Sequence, residues 1–421
     1  MMRSFLMLLL TCAILSANAL SQTDQRDAFA LHDQDRVVFY GDSITEQRLY
    51  TRFLEDYAVT RFPERKIEFR NAGVGGDKVS GGWAGPVDLR VTRDLLAYHP
   101  TVVTIMLGMN DGYYRAYDPG IFSTYAEGYR RLVEEVLTKD SSAHLTLIGP
   151  SPYDDATRPP AFPGGYNGVM QRFTEFLSHL AQEKNLGFSD FNAPVVQMLE
   201  RASKTNAALA TSIIPDRVHP GMGGHWIMAE ALIRTWHGAN NVSAVAIDAA
   251  KLKAAQAENT TVTELKRSGN QLQWTQQDKA LPLPLPPSIA DPIVDLAITS
   301  SDLVQALDRE TLQVTGLPEG AYRLSIDQTD VATFRSSELA GGINLAQMDT
   351  PMLAQARLVD LDVDHKNMLE AARFRFIHED MDQTKRQSAD ALEAAFVKAI
   401  DHEYKDAQPK PHRYLLVPVH F

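Results

Sequence analysis

The sequence predicts an α/β fold for its first half, a central parallel sheet in a three-layer αβα arrangement, followed by a smaller C-terminal α+β region. One observation is the apolar run Val37-Val38-Phe39-Tyr40, stopped abruptly by Gly41-Asp42-Ser43, which reads as a buried strand ending in a turn. Another is that strand-like and helix-like segments alternate from Asp35 to Trp236, the pattern of a parallel sheet covered on both faces. The last is a change of texture after Trp236.

Taken in order, Glu46 to Phe62 is apolar at helical spacing through Leu49, Phe53, Leu54 and Tyr57. Ile67-Glu68-Phe69 is a short strand entering the glycine-rich stretch from Asn71 to Gly82. Thr101 to Leu107 is a continuous apolar, β-branched strand that stops at Gly108-Met109-Asn110-Asp111. A helix over Tyr125 to Leu137, a strand over His144 to Ile148, a helix over Tyr166 to Leu186 and a strand over Leu186 to Asp190 continue the alternation. Gly223 to Trp236 closes it as an amphipathic helix, giving a unit over 30–240. Residues 241–290 read as a helical and proline-rich connection: Asn240 to Ala257 is alanine-rich, and Leu281 to Pro287 alternates leucine and proline as an extended spacer. Residues 291–421 read as a small β unit (Leu312 to Thr315, Ala321 to Ile326) lying against the first unit. Helices over Leu353 to Lys405 pack on that β unit, with a lid or dimer surface as the functional alternative, and Tyr414 to Val419 is a last strand.

At 421 residues the chain exceeds what one core usually holds. Residues 1–19 read as a signal peptide: Arg3, an apolar run from Phe5 to Leu15, and Ala17-Asn18-Ala19 as cleavage site. The apolar run is too short to span a bilayer, so no stable membrane insertion is expected, and the mature protein is placed outside the cytoplasm, secreted or periplasmic. Cys12 is the only cysteine and lies in that segment, so no disulfide is expected. The formal charge of −12 argues against nucleic acid as a partner.

Ser43 follows the strand where such sheets present ligands and nucleophiles. Gly76 stands in Asn71-Ala72-Gly73-Val74-Gly75-Gly76-Asp77, Asn110 in Gly108-Met109-Asn110-Asp111, and His219 in Asp216-Arg217-Val218-His219-Pro220. Serine, glycine, asparagine and histidine occur in the order and contexts of an acyl-transfer site. With these four blocks the sequence resembles the GDSL, or SGNH-type, serine hydrolases over about Asp35 to Trp236, with Ile44 where the family name has leucine. The resemblance implies the SGNH (flavodoxin-like) fold and an acyl-serine mechanism. Ser43 would be the nucleophile, His219 its base and Asp216 the orienter of His219. The oxyanion donors it implies are the N–H of Ser43, the N–H of Gly76 and the side-chain amide of Asn110. Gly76 has no side chain to screen its amide, and Asn110 offers a neutral donor that needs no tuning. Asp42 and Asp111 are expected to be structural, accepting local backbone N–H groups.

The histidines show no metal-ligand spacing, and the glycine turn lacks the lysine and hydroxyl of a phosphate loop, so neither metal nor cofactor is expected. Trp83, Tyr113 and Tyr153 lie on loops expected to rim the site, as does Arg158, and suit either a sugar or plain loop packing. The expected activity is hydrolysis of a short O-acyl ester, acetyl above all, on a carbohydrate, with a small-molecule or carbohydrate ester as the expected partner. The alternatives are a lysophospholipid or short-chain lipid esterase, an acyltransferase with the same site, and a catalytically idle binding protein.

Overall fold

The computed structural model describes residues 28–287, 290–378 and 382–419; the expected signal peptide lies outside them. Within the first half, β1 (Arg36–Gly41), α1 (Ser43–Glu46), α2 (Leu49–Arg61) and β2 (Glu68–Gly73) lead to a glycine hairpin of β3 (Gly81–Gly82) and β4 (Gly85–Pro86). Then come α3 (Val87–Arg90), β5 (Val102–Met106), α4 (Pro119–Lys139), β6 (His144–Gly149), α5 (Gly165–Lys184), β7 (Gly187–Asp190), α6 (Asn192–Ala210) and α7 (Met222–Thr235). The strands form one parallel sheet in the order β2-β1-β5-β6-β7, flanked by helices. Every residue of β5 is buried, as expected of a strand covered on both faces. The order reverses beside β1, and the crevice beyond the carboxyl ends at such a reversal is where these sheets bind ligands. In register, Gly41 of β1 faces Gly73 of β2 and Met106 of β5, so the loops carrying Ser43, Gly76 and Asn110 leave the sheet side by side. Helix α6 has no counterpart in the sequence reading.

The second half departs further. It runs β8 (Asn241–Asp248), β9 (Lys253–Glu258), β10 (Thr260–Ser268), β11 (Gln271–Asp278), α8 (Pro292–Thr299), α9 (Leu303–Leu307), β12 (Arg309–Thr315), β13 (Ala321–Ile326) and β14 (Thr329–Arg335). After these come α10 (Ser336–Gly341), β15 (Ile343–Asn344), α11 (Pro351–His378), α12 (Gln383–Asp406) and β16 (His412–Val419). Two strands, β8 and β9, stand where alanines suggested a helix. Val245 and Ile247 alternate into a core while the alanines between them lie at its margin, so sheet packing overrides helix propensity. The strands build two sheets, β10-β11-β16-β13-β14 and β15-β12-β8-β9, which share one hydrophobic core; this exceeds the small unit expected. The leucine–proline stretch is extended as expected but is no exposed spacer. Leu281, Leu283 and Leu285 are buried, and their backbone is tied to Thr60, Asp308 and Arg357.

Helices α11 and α12 form a hairpin that packs on the β unit and also on the first half. Val59 of α2 enters the second core, and Phe374 of α11 enters the first. Lys366, fully buried, donates to Glu55 of α2 and, at 3.0 Å, to Glu403 of α12. Arg52 binds Asp360 and Asp364, and Arg70 takes Glu393 through both terminal nitrogens, at 3.0 and 2.6 Å.

Candidate active site

The serine turn is built from its own backbone. Asp42, buried at the end of β1, accepts the N–H of Ile44 at 3.0 Å, capping α1 and placing Ser43 on its first turn. This is the local structural role expected for Asp42. Gly73 lets β2 end against that turn, because a Cβ there would lie 2.2 Å from the N of Glu46. Asn71 braces the same turn, its amide donating to Thr45 O at 2.8 Å and Thr51 Oγ1 at 3.0 Å.

Ser43 Oγ lies 2.8 Å from His219 Nε2, and His219 Nδ1 lies 2.6 Å from Asp216 Oδ2. Asp216 Oδ1 also accepts the N–H groups of Val218 (2.9 Å) and His219 (2.8 Å), so one carboxylate shapes the loop and orients the ring. Because that carboxylate accepts from Nδ1–H, the lone pair of the neutral ring is on Nε2, facing the serine hydroxyl. Partial burial works against ionisation of Asp216, but the bonds from the His219 N–H, the His219 ring and the Val218 N–H outweigh it and hold its carboxyl below the usual range. Behind the ring, buried His225 accepts the N–H of Tyr50 on Nδ1 at 3.1 Å and donates from Nε2 to Gln47. Burial, then the neighbouring His219, depress its pKa to about 3, so His225 is a neutral wall residue.

Gly76 turns at φ +75°, and a Cβ on it would meet nothing within 4 Å, so its outer side is open. The neighbouring Gly75 lies beside the serine: a Cβ there would be 3.9 Å from Ser43 Cβ. The Asn110 amide is held at both ends. Its Nδ2 donates to Asp77 O at 3.1 Å, and its Oδ1 accepts from Tyr114 at 3.0 Å. One N–H is thereby committed to the glycine turn, and the amide's second N–H is its remaining donor. Asp111 accepts the N–H of Val79 at 3.0 Å, as expected of a structural residue, and burial, opposed by that bond, raises its pKa to about 7.

Trp83 is 70% exposed, with its indole N–H donating to Gly75 O at 3.0 Å. Tyr113 is exposed under Lys78, and Tyr153 sits in an aromatic cluster with Tyr114 and Tyr166 beneath Arg217. All three rim residues thus gather beside site loops. Tyr113 donates its backbone N–H to Asn110 O at 3.3 Å, whereas it is the Tyr114 side chain that reaches the Asn110 amide. Arg158 has the packing role: its guanidinium donates to the carbonyls of Thr211, Ile214 and Pro215 and ties the 150–165 loop to the histidine loop. Arg217, in the left-handed region at φ +72°, completes that tie, its carbonyl accepting from Asp154 at 2.9 Å. The sequence signal for Arg217 is only its place between Asp216 and His219.

Among the described residues, Asp362, His402 and Asp406 bring possible metal-ligand atoms within 4.8 Å of one another on the outer face of the α11–α12 hairpin. His402 Nδ1 already lies 3.2 Å from Asp362 Oδ2, so pairing between these side chains accounts for the cluster.

Residues 39–227 match the GDSL-like Lipase/Acylhydrolase family. The chain carries a GDSL/SGNH hydrolase domain. Its similarity to the acetylxylan esterase of Geobacillus stearothermophilus is 26% identity over 220 residues, 48% of this chain and 93% of that one. A crystal structure of that esterase aligns with 49% of this chain and 96% of its own, at 24% identity and a TM-score of 0.40. A gut microbial diltiazem-metabolizing enzyme aligns with 93% of this chain and 100% of its own, at 24% identity and a TM-score of 0.80, so the GDSL domain and the C-terminal sheets recur together as one fold. The 39–227 domain is thus that of a carboxylic-ester hydrolase.

Proposed function

We propose that the protein is an exported serine esterase that removes short acyl groups, acetyl above all, from a carbohydrate. The observation that carries this reading is the line Ser43 Oγ–His219 Nε2–His219 Nδ1–Asp216 Oδ2, with separations of 2.8 and 2.6 Å at its two hydrogen bonds. Nε2 takes the Ser43 proton as Oγ attacks the ester carbonyl, and Asp216 stabilises the imidazolium that forms. The negative oxygen of the tetrahedral adduct is met by the N–H groups of Ser43 and Gly76 and by Asn110 Nδ2. Nε2 then returns the proton to the departing alcohol. Water repeats the sequence on the acyl-serine, releasing the acid and restoring the hydroxyl.

The substrate reading is supported by the name of the Geobacillus relative and by the rim. Exposed Trp83, Tyr113 and Tyr114 offer apolar faces, and Glu46, Asn110 and Asp216 offer polar groups around the serine, a mixture that suits a sugar better than an alkyl chain. Export rests on residues 1–19 alone, and amino-terminal sequencing of the mature protein tests it. The deciding experiment gives the mature protein acetylated xylo-oligosaccharides, 4-nitrophenyl acetate and lysophosphatidylcholine. Release of acetate from the oligosaccharide, abolished in Ser43→Ala, is expected. Preference for the lysolipid would replace the carbohydrate reading, and undiminished turnover by Ser43→Ala would remove the nucleophile.

A further inference from the structure

The last turn of α11 reaches the glycine loop of the site. His378 Nδ1 donates to Phe374 O at 2.7 Å, and its Nε2 lies 3.0 Å from Asp94 Oδ2. The Phe374 carbonyl can only accept, so Nδ1 is the donor there, while Nε2 faces the Asp94 carboxylate. Asp94 is buried and accepts at the same oxygen from Arg90 Nε at 3.1 Å. Arg90, buried against the Tyr40 ring, donates onward from Nη1 to Asp77 Oδ2 and from Nη2 to Ala72 O at 2.5 Å. The carbonyl of Asp77 holds Asn110 Nδ2, and Asp77 directly follows Gly76. A second route is shorter. The His378 ring lies 6.0 Å, centroid to centroid, from the Trp83 indole, whose N–H holds the carbonyl of Gly75.

We infer that His378 is a positioning residue for the oxyanion loop: through Asp94–Arg90–Asp77 and through Trp83 it fixes the Gly75–Gly76–Asp77 turn and the amide of Asn110. The C-terminal hairpin is thereby part of the catalytic apparatus without touching substrate. The physical ground is that the network is dry. Asp77, Arg90 and Asp94 are fully buried, and a buried guanidinium between carboxylates has few alternative geometries once each donor is committed. Removing the imidazole at that end leaves Asp94 to Arg90 and Arg93 alone, and Arg90 shifts toward it and away from Asp77. Oxyanion donors tolerate little displacement, because their contribution depends on sub-ångström placement.

The inference rests on the proposed oxyanion role of Gly76 and Asn110, and its test separates the two. His378→Phe keeps a ring against Trp83 and Phe374 and removes both ring nitrogens; His378→Gln restores an N–H₂ that reaches Asp94. Turnover of 4-nitrophenyl acetate and the ¹H–¹⁵N resonances of Gly76 and of the Asn110 side chain are measured for both, in the full mature chain. His378→Phe is expected to lower kcat on the order of tenfold with little change in KM and to shift both resonances; His378→Gln is expected to recover most of each. Wild-type kcat with unmoved resonances in His378→Phe overturns the inference, as does a loss that His378→Gln does not repair. If the wild-type protein hydrolyses no ester, the functional reading fails while the resonances still decide whether His378 governs the loop.

Discussion

The carboxylate of Glu370 accepts the backbone N–H of Asn71 at 3.0 Å and, with its other oxygen, the guanidinium of Arg48 at 2.5 Å. A residue of α11 is thus seated between the end of β2 and the left-handed residue that opens α2, directly under the serine turn braced by Asn71. Glu370→Ala leaves a buried N–H and a half-buried guanidinium without their acceptor. We expect a loss of about 3 kcal/mol in denaturant unfolding and a reduced kcat, whereas Glu370→Gln, which still accepts from Asn71, is expected to lose less. Equal stability of all three proteins would contradict this.

Asp216 orients His219 through Nδ1, so replacing one oxygen with a donor disturbs the tautomer more than the loop. Asp216→Asn is expected to lower kcat on the order of 10³–10⁴-fold with KM little altered. Asn110→Ala, which removes one proposed oxyanion donor, is expected to cost on the order of 10²–10³-fold. Steady-state kinetics on a nitrophenyl ester checks both.

Lys366 is the one cation shared by Glu55 and Glu403 in the buried junction of α2, α11 and α12. Lys366→Met strands two carboxylates in a dry interior and is expected to destabilise the protein by about 3–5 kcal/mol. Adding Glu55→Leu and Glu403→Leu to that variant is expected to restore much of the loss. Calorimetric or urea unfolding of both variants would show it.

Burial, opposed by the bond from the Ile44 N–H, raises the pKa of Asp42 to about 7. An unfolded aspartate titrates near 3.9. Between these values the native state keeps a proton that the unfolded chain has released, so this group's contribution to stability falls as pH rises from about 4 to about 7 and is flat above. Asp42→Asn retains an oxygen for Ile44 N–H and abolishes that slope. Melting temperatures across pH 4–9 should therefore converge in acid and favour the variant above pH 7.

Much of the site was legible because its parts are local. Gly-Asp-Ser caps its own helix, and Asp216 shapes the loop that carries His219, so short motifs contain their own geometry. The first sheet was legible because its central strands β1 and β5 are buried on both faces and read as largely apolar runs. The second half was not. Val245 and Ile247 gain their meaning from β12, a strand distant in sequence, and the alanines between them bias any local reading toward helix. On α2, Glu55, Asp56 and Arg61 look like a solvated face but are buried, because α11 and the 303–308 segment cover them. His378 carried no motif at all; only its arrival beside Asp94 and Trp83 gives it a part.

Strand β16 lies in the middle of its sheet, paired with β11 on one side and β13 on the other, although both are synthesised long before it. On the ribosome those two strands must wait with bare edges until residues 412–419 emerge, after both helices of the α11–α12 hairpin. Nascent chains are thus exposed to edge-to-edge aggregation throughout that interval, and premature termination between β13 and β16 leaves those edges permanently open.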